Sequence, residues 1–202
     1  MKNTIKMLGL LLFLIPIFCT ASVIGTYFGG TDIDYKSRIA VDSAGNVYIC
    51  GATFSIDIPV TEGVYQPNVS TVYELFVAKL DPTLTNLIYC TYLGGFSGEG
   101  CTDLKVDNEG NLYVAGFSGA GFPTTPNAMV TTASGFDGFV AKINPTGTAL
   151  VYSTYIGGGT IVAMDLDTAG CVYLTGYPSS TSFPVSINAK DTVSLVSNKK
   201  TA

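Results

Sequence analysis

The chain has no histidine and no tryptophan, a single arginine (Arg38), and only 12% charged residues in a length of 202. Without an imidazole it has no Ser-His-Asp or Cys-His nucleophile system and no His-containing metal site. Fifteen acidic against 10 basic residues give a formal net charge of −5. An acidic chain with one arginine lacks the basic surface that nucleic acid requires, so that partner class is excluded. No Cys-x-x-Cys spacing occurs, which removes support for a zinc ribbon or a dithiol redox motif. What the chain has in quantity is glycine (23), tyrosine (12) and phenylalanine (11). With so few charges, that composition points to an all-β protein and not to disorder.

Residues 1–21 read as an export signal. Lys2 and Lys6 precede an apolar run from Met7 to Cys19, and Cys19-Thr20-Ala21 forms a small-residue exit, with cleavage expected after Ala21. The run is too short, and is interrupted by Pro16, to cross about 30 Å of hydrocarbon. A lipoprotein signal fits less well, because Ile15-Pro16-Ile17-Phe18 lacks the small residues such a signal carries before its cysteine. The mature chain is therefore expected to be secreted, extracellular or cell-surface, with no membrane span. It keeps Cys50, Cys90, Cys101 and Cys171. Export makes disulfides chemically accessible, buried free thiols serve equally well, and the pairing stays open.

The mature chain repeats itself. Thr26-Tyr27-Phe28-Gly29-Gly30 returns as Thr91-Tyr92-Leu93-Gly94-Gly95 and as Thr154-Tyr155-Ile156-Gly157-Gly158. Ala40-Val41-Asp42-Ser43-Ala44-Gly45-Asn46-Val47-Tyr48 matches the segments from Lys105 to Tyr113 and from Asp165 to Tyr173. An apolar-Pro pair follows each copy (Ile58-Pro59, Phe122-Pro123, Phe183-Pro184). Phe76-Val77-Ala78-Lys79-Leu80-Asp81-Pro82 is repeated as Phe139-Val140-Ala141-Lys142-Ile143-Asn144-Pro145. Each copy reads as four short strands, A to D. The turn between A and B is opened by Asp42, Asp107 or Asp167, which can bond turn amides, and closed by Gly45, Gly110 or Gly170, which can take a positive φ. Strand B (Val47–Cys50, Leu112–Ala115, Val172–Thr175) is almost wholly apolar, so burial on both faces is expected. Four-stranded units repeating every roughly 60 residues, unable to bury their faces alone, describe the blades of a β-propeller.

These motifs closely resemble the SBBP-type (seven-bladed) β-propeller repeat of bacterial exported and cell-surface proteins. The resemblance implies a propeller, usually part of a larger extracellular protein, and carries over no catalytic residues. The expected layout is a signal at 1–21, an orphan outer strand within 22–34, and blades at 35–95 and 96–158. A partial third blade follows at 159–190 and a disordered tail at 191–202. This is an unfinished ring. A longer gene product, association of the chain's own copies, or blades from another chain would complete it.

Candidate chemistry is sparse. The long B–C connections, Phe54–Glu74 and Ser118–Phe136, are rich in Ser, Thr, Pro, Gly, Asn, Tyr and Phe, which suits either a glycan or protein contact or plain cover for blade edges. Asp32 and Asp34 lack the further oxygen ligands of a calcium loop and read as a solvated loop. Lys79 and Lys142 recur and read as edge-facing strand positions. Glu62, Glu74, Glu99 and Asp137 break the repeat, but they sit in different loops with nothing to pair them, so glycoside cleavage by two carboxylates has no visible basis. The expectation is a non-enzymatic scaffold or binding module without cofactor or metal. The alternative is the remnant of a propeller hydrolase acting on polysaccharide.

Overall fold

A computed structural model describes residues 24–179. The export signal at 1–21, the last part of the third blade and the tail at 191–202 lie outside the described residues. Those described form ten strands and no helix: β1 (Asp34–Val41), β2 (Val47–Thr53), β3 (Glu74–Leu80), β4 (Leu87–Leu93), β5 (Glu99–Val106), β6 (Leu112–Ser118), β7 (Asp137–Ile143), β8 (Leu150–Tyr155), β9 (Gly159–Leu166) and β10 (Val172–Pro178). They build two antiparallel four-stranded sheets, β1-β2-β3-β4 and β5-β6-β7-β8, and a two-stranded sheet of β9 and β10. None closes into a barrel. The architecture is all-β and that of an incomplete propeller: two blades and the inner half of a third.

Local chemistry explains the hairpins. In each A–B turn the Asp Oδ1 accepts from the amides two and four residues on, at 3.0 and 2.8 Å for Asp42, and Asp107 and Asp167 repeat the pattern. The turn glycine closes the loop by donating its amide to the Asp carbonyl at 3.0 Å in all three copies. Its φ is 86° at Gly45, 82° at Gly110 and 80° at Gly170, a region costly for any residue with a Cβ.

Blades stack face to face. The core between the first two contains Tyr48, Leu75, Val77, Leu93, Leu104, Leu112 and Phe139, and that between the second blade and β9–β10 contains Tyr113, Val140, Ile156, Ile161 and Met164. Each such side chain contributes about 1.5–3 kcal/mol on burial. A third cluster covers the other face of blade 1, around Phe76, Leu80, Cys90 and Tyr92, and Phe28 packs against it with ring centroids 5.6 Å apart.

The structure corrects two strand-level expectations. Residues 24–30, the described part of the expected orphan strand Val23–Phe28, form no strand. A strand there needs a strand C as ladder partner, and among the described residues the third blade supplies only A and B. Phe28 nevertheless occupies the place that Leu93 and Ile156 hold at the following blade junctions. Strand B is also not buried everywhere. It is buried in β2 and β6, but β10 is largely exposed, with Tyr173 and Tyr177 open to solvent, because no described segment packs over it.

Candidate functional site

The sheets present two ends, one made by the A–B turns and one by the D–A and B–C loops. At the turn end, Asp42 accepts from the Asn46 side chain at 2.8 Å and the Tyr48 hydroxyl at 3.2 Å, with Lys79 Nζ 3.9 Å away. In the second blade Lys142 Nζ lies 3.1 Å from Asp107, which also receives the Asn111 side chain. Each lysine rides over the tyrosine of its blade, Lys79 at 4.8 Å from the Tyr48 centroid and Lys142 at 4.9 Å from that of Tyr113. These lysines do not face an exposed edge, as their recurrence suggested. Lys79 is only 9% exposed, and both are drawn inward because an Asp anion and an aromatic face wait there. Burial pushes the Asp42 and Asp107 carboxyls up, but the bonds from Asn46 or Asn111 outweigh it and hold both below the ordinary value, with Lys142 adding to the effect at Asp107. The third copy has Cys171 in place of the Asn, and Asp167 is held by its turn amides, the Tyr173 hydroxyl at 3.1 Å and the Cys171 side chain. A cleft of about 300 Å³ opens between the second and third turns, but its charged lining includes Asp107 and Lys142, which already satisfy each other.

The B–C loops are held from below. The Tyr92 hydroxyl donates to the Ser55 carbonyl (3.0 Å) and accepts from the Ile58 amide (3.3 Å), while Tyr155 does the same with Gly119 (2.7 Å) and Phe122 (2.9 Å). This explains why Thr-Tyr and the apolar-Pro pair recur together. Tyr27, the same residue in the N-terminal segment, has no such loop and is fully exposed. Beyond the pin, each loop runs along the outer strand and caps its free edge. Thr61 and Gln66 bond to Cys90, Thr91 and Tyr92, and Thr125 and Val130 repeat this with Ser153, Thr154 and Tyr155. Much of the loop length is thus consumed in blunting an edge that would otherwise template foreign strands.

The loop end gathers the acids that had seemed scattered. Asp34 and Glu99 begin strand A of their blades, Glu74 and Asp137 begin strand C, and a hydroxyl at the end of strand B pairs with both. Thr53 lies in register with Asp34 and Glu74, and Ser118 with Glu99 and Asp137. These acids therefore follow the repeat, apart from Glu62, which is exposed in a loop. The structure also pairs two of them. Glu74 and Glu99 come from different blades, both fully buried, and converge on Gly94, where one point in space lies 3.0 Å from Glu74 Oε1 and 3.1 Å from the Glu99 carboxyl carbon. Glycine is required there because a Cβ would sit 2.6 Å from Glu74 Cγ. Glu74 is held by the Gln66 side chain and, at 2.6 Å, the Ser70 amide. Glu99 Oε1 takes the Gly95 amide (2.9 Å) and the Ser118 hydroxyl (3.3 Å), whereas Oε2 is buried without a partner. Burial raises both carboxyls above the ordinary range, and the Glu74 charge raises Glu99 further. Asp34, placed in a solvated loop by sequence, instead fastens the D–A loop through the Gly30 amide (2.8 Å) and the Thr53 hydroxyl, while Asp32 stays exposed. The signal missed for Glu74 and Glu99 is their two-dimensional register, which a linear spacing does not display.

Above these acids lies an aromatic cluster. Tyr35, Phe54 and Tyr73 pack with centroids 5.1 to 6.1 Å apart. Phe96 and Phe136 are largely exposed on the same end of the sheets. Among the described residues no group of three or more His, Cys, Asp or Glu is placed to hold a metal ion.

Stacked four-stranded blades with recurrent turns and pinned loops define a propeller-like β architecture, present among the described residues as two blades and two strands of a third. Residues 23–56, running from the N-terminal segment through β2, match the family model of the SBBP beta-propeller repeat, so the chain carries a propeller repeat of SBBP type. No curated protein matches the chain.

Proposed function

We propose that the protein is an exported, non-enzymatic propeller scaffold that binds through its loop end. The observation that carries this reading is the aromatic cluster of Tyr35, Phe54 and Tyr73, flanked by exposed Phe96 and Phe136, on an end of the blades made otherwise of low-charge loops. Such a platform suits a neutral glycan, whose sugar faces stack on rings, and an uncharged patch of a surface protein is the other partner it would accept. The recurring polar residues are engaged in holding blades together, which leaves them in structural roles. Further blades, from more of the same product, another copy or another chain, are its assembly partners through the exposed face of β9 and β10.

The hydrolase reading draws on the Glu74–Glu99 pair, whose close approach invites comparison with paired glycosidase carboxylates. Both groups are fully buried, however, and a sugar ring cannot reach them. The test is titration of the full chain with a panel of neutral polysaccharides, read by tyrosine fluorescence, alongside a turnover assay on the same panel. Binding that Phe54→Ala and Tyr73→Ala each weaken by tenfold or more is expected. Turnover that disappears in Glu74→Gln overturns the scaffold reading.

A further inference from the structure

The four cysteines among the described residues hold non-equivalent places in the repeat, and folding sorts them. Cys90 sits on outer strand β4 in the core on the far face of blade 1, and Cys171 is exposed at the β9–β10 turn. Cys50 on β2 and Cys101 on β5 belong instead to the single core between blades 1 and 2, the first wholly buried and the second nearly so. The backbones around them are tied together: Arg38 is the cross-strand partner of Cys50, and its Nε donates to the carbonyl of Thr102, next to Cys101, at 2.8 Å. Both stand as free thiols in this structure, with Cys101 Sγ donating to the Asp103 carbonyl at 3.7 Å, and they share one core with their side chains interacting.

We propose that Cys50 and Cys101 are the sites of an inter-blade disulfide that staples blade 1 to blade 2, leaving Cys90 and Cys171 as thiols. The step needs an oxidant of the disulfide class, protein or small molecule. One cysteine thiolate attacks the oxidant's disulfide to form a mixed disulfide and expels one oxidant thiol. The second thiolate then displaces the remaining oxidant sulfur. Two protons and two electrons leave the protein, and the oxidant departs as its dithiol or as two thiols. Thiolate is the reactive form, and burial in the finished core pushes the Cys50 thiol far up, with the Arg38 cation pulling weakly the other way. Bridge formation therefore belongs to the stage when the two sheets are docking, after which the core shields the bond from exchange. The inference rests on the export reading, since reducing compartments keep such thiols apart.

The experiment has two arms that separate the pairing from the export. In the first, the mature chain (residues 22–202) is refolded in a glutathione redox buffer, blocked with an alkylating agent under denaturing conditions, digested without reductant and mapped by mass spectrometry. The Cys50 peptide is expected joined to the Cys101 peptide, with Cys90 and Cys171 alkylated. In Cys50→Ala the linked peptide is expected to vanish and the Cys101 thiol to become alkylatable; Cys101→Ala gives the converse. Four alkylated cysteines, or a link from Cys50 to Cys90 or Cys171, overturns the proposal. The second arm maps the protein from the producing cells. A link that forms in glutathione but is missing there upholds the pairing and overturns the export reading.

Discussion

The buried pair at Gly94 offers a sharp test, because its two carboxyls share one small volume and only one is fully hydrogen-bonded. Consider Glu99→Gln. The amide oxygen can keep the bonds from the Gly95 amide and the Ser118 hydroxyl, while the NH₂ takes the place of the unpartnered Oε2 in the small volume the Glu74 carboxyl shares and can offer it a donor. A buried acceptor without a partner costs about 1–3 kcal/mol, so the variant is expected to be more stable than the parent by that amount at pH 8. With a urea slope of about 2 kcal/mol/M, this moves the unfolding midpoint up by roughly 1 M. The sign follows from linkage. Glu99 has a folded pKa above its unfolded value of 4.5, so in that window the native state binds more protons than the unfolded one. Its contribution is fully present below about 4.5 and is lost as pH rises through the folded pKa.

The parent-minus-variant difference should therefore be near zero at pH 4 and grow toward pH 8. Taking a difference is essential, because Asp42, Asp107 and Asp167 have lowered pKa values and act in the opposite sense. They add stability above the unfolded value of 3.8 that is lost as pH falls through their folded values, and they cancel in the comparison. Urea unfolding of both proteins at pH 4, 6 and 8 is the assay. A destabilised Gln variant at pH 8, or a stabilisation equal at all three values, refutes the reasoning. Glu74→Gln is the contrasting case: Ser70 N and Gln66 Nε2 both donate to that carboxylate, so an amide NH₂ would face a donor and the change is expected to destabilise.

Lys142→Met removes a 3.1 Å partner from Asp107 at a mostly buried site and is expected to cost about 1–2 kcal/mol, more than Lys79→Met, where the separation is 3.9 Å; chemical denaturation of both variants orders them. Tyr155→Phe strands the Phe122 amide and the Gly119 carbonyl and should cost about 1–3 kcal/mol, whereas Tyr27→Phe should leave the melting curve unmoved. Gly116→Ala places a Cβ 1.9 Å from the Gly100 carbonyl oxygen, within the β5–β6 pairing, and is expected to cost more than about 3 kcal/mol or to prevent folding. Gly135→Ala meets nothing within 4 Å and serves as the matched control, read by the same thermal melt.

The contrast between what sequence disclosed and what it concealed has a physical origin. Strand order, turn positions and blade count were legible because each depends on contacts within one repeat: an Asp and a Gly a few residues apart make a hairpin whatever lies beyond it. The roles of Lys79 and Glu99 were hidden because they depend on neighbours brought in by pairing. Lys79 looked like an edge residue until the register set it opposite Tyr48, next to the Asp42 anion. Asp34 read as a solvated loop residue and Glu99 as an acid that breaks the repeat, yet both open strand A across from a hydroxyl.

Among the described residues, the core around Phe76 is covered by Phe28 and not by a further sheet. Phe28 needs no sheet of its own to fill the place that Leu93 and Ile156 fill at the later junctions. A few residues carrying the right aromatic, anchored through Gly30 and Thr31 to Asp34 and Asp57, supply that packing without forming a ladder. The β9–β10 sheet has no such plug among the described residues, and its Tyr173 and Tyr177 face solvent. The outer faces of the first and last described sheets are therefore unequally covered. Under the proposed assembly the β10 face, where Tyr173 and Tyr177 are exposed, is the side expected to receive a further blade, while Phe28 already packs on the Phe76 side.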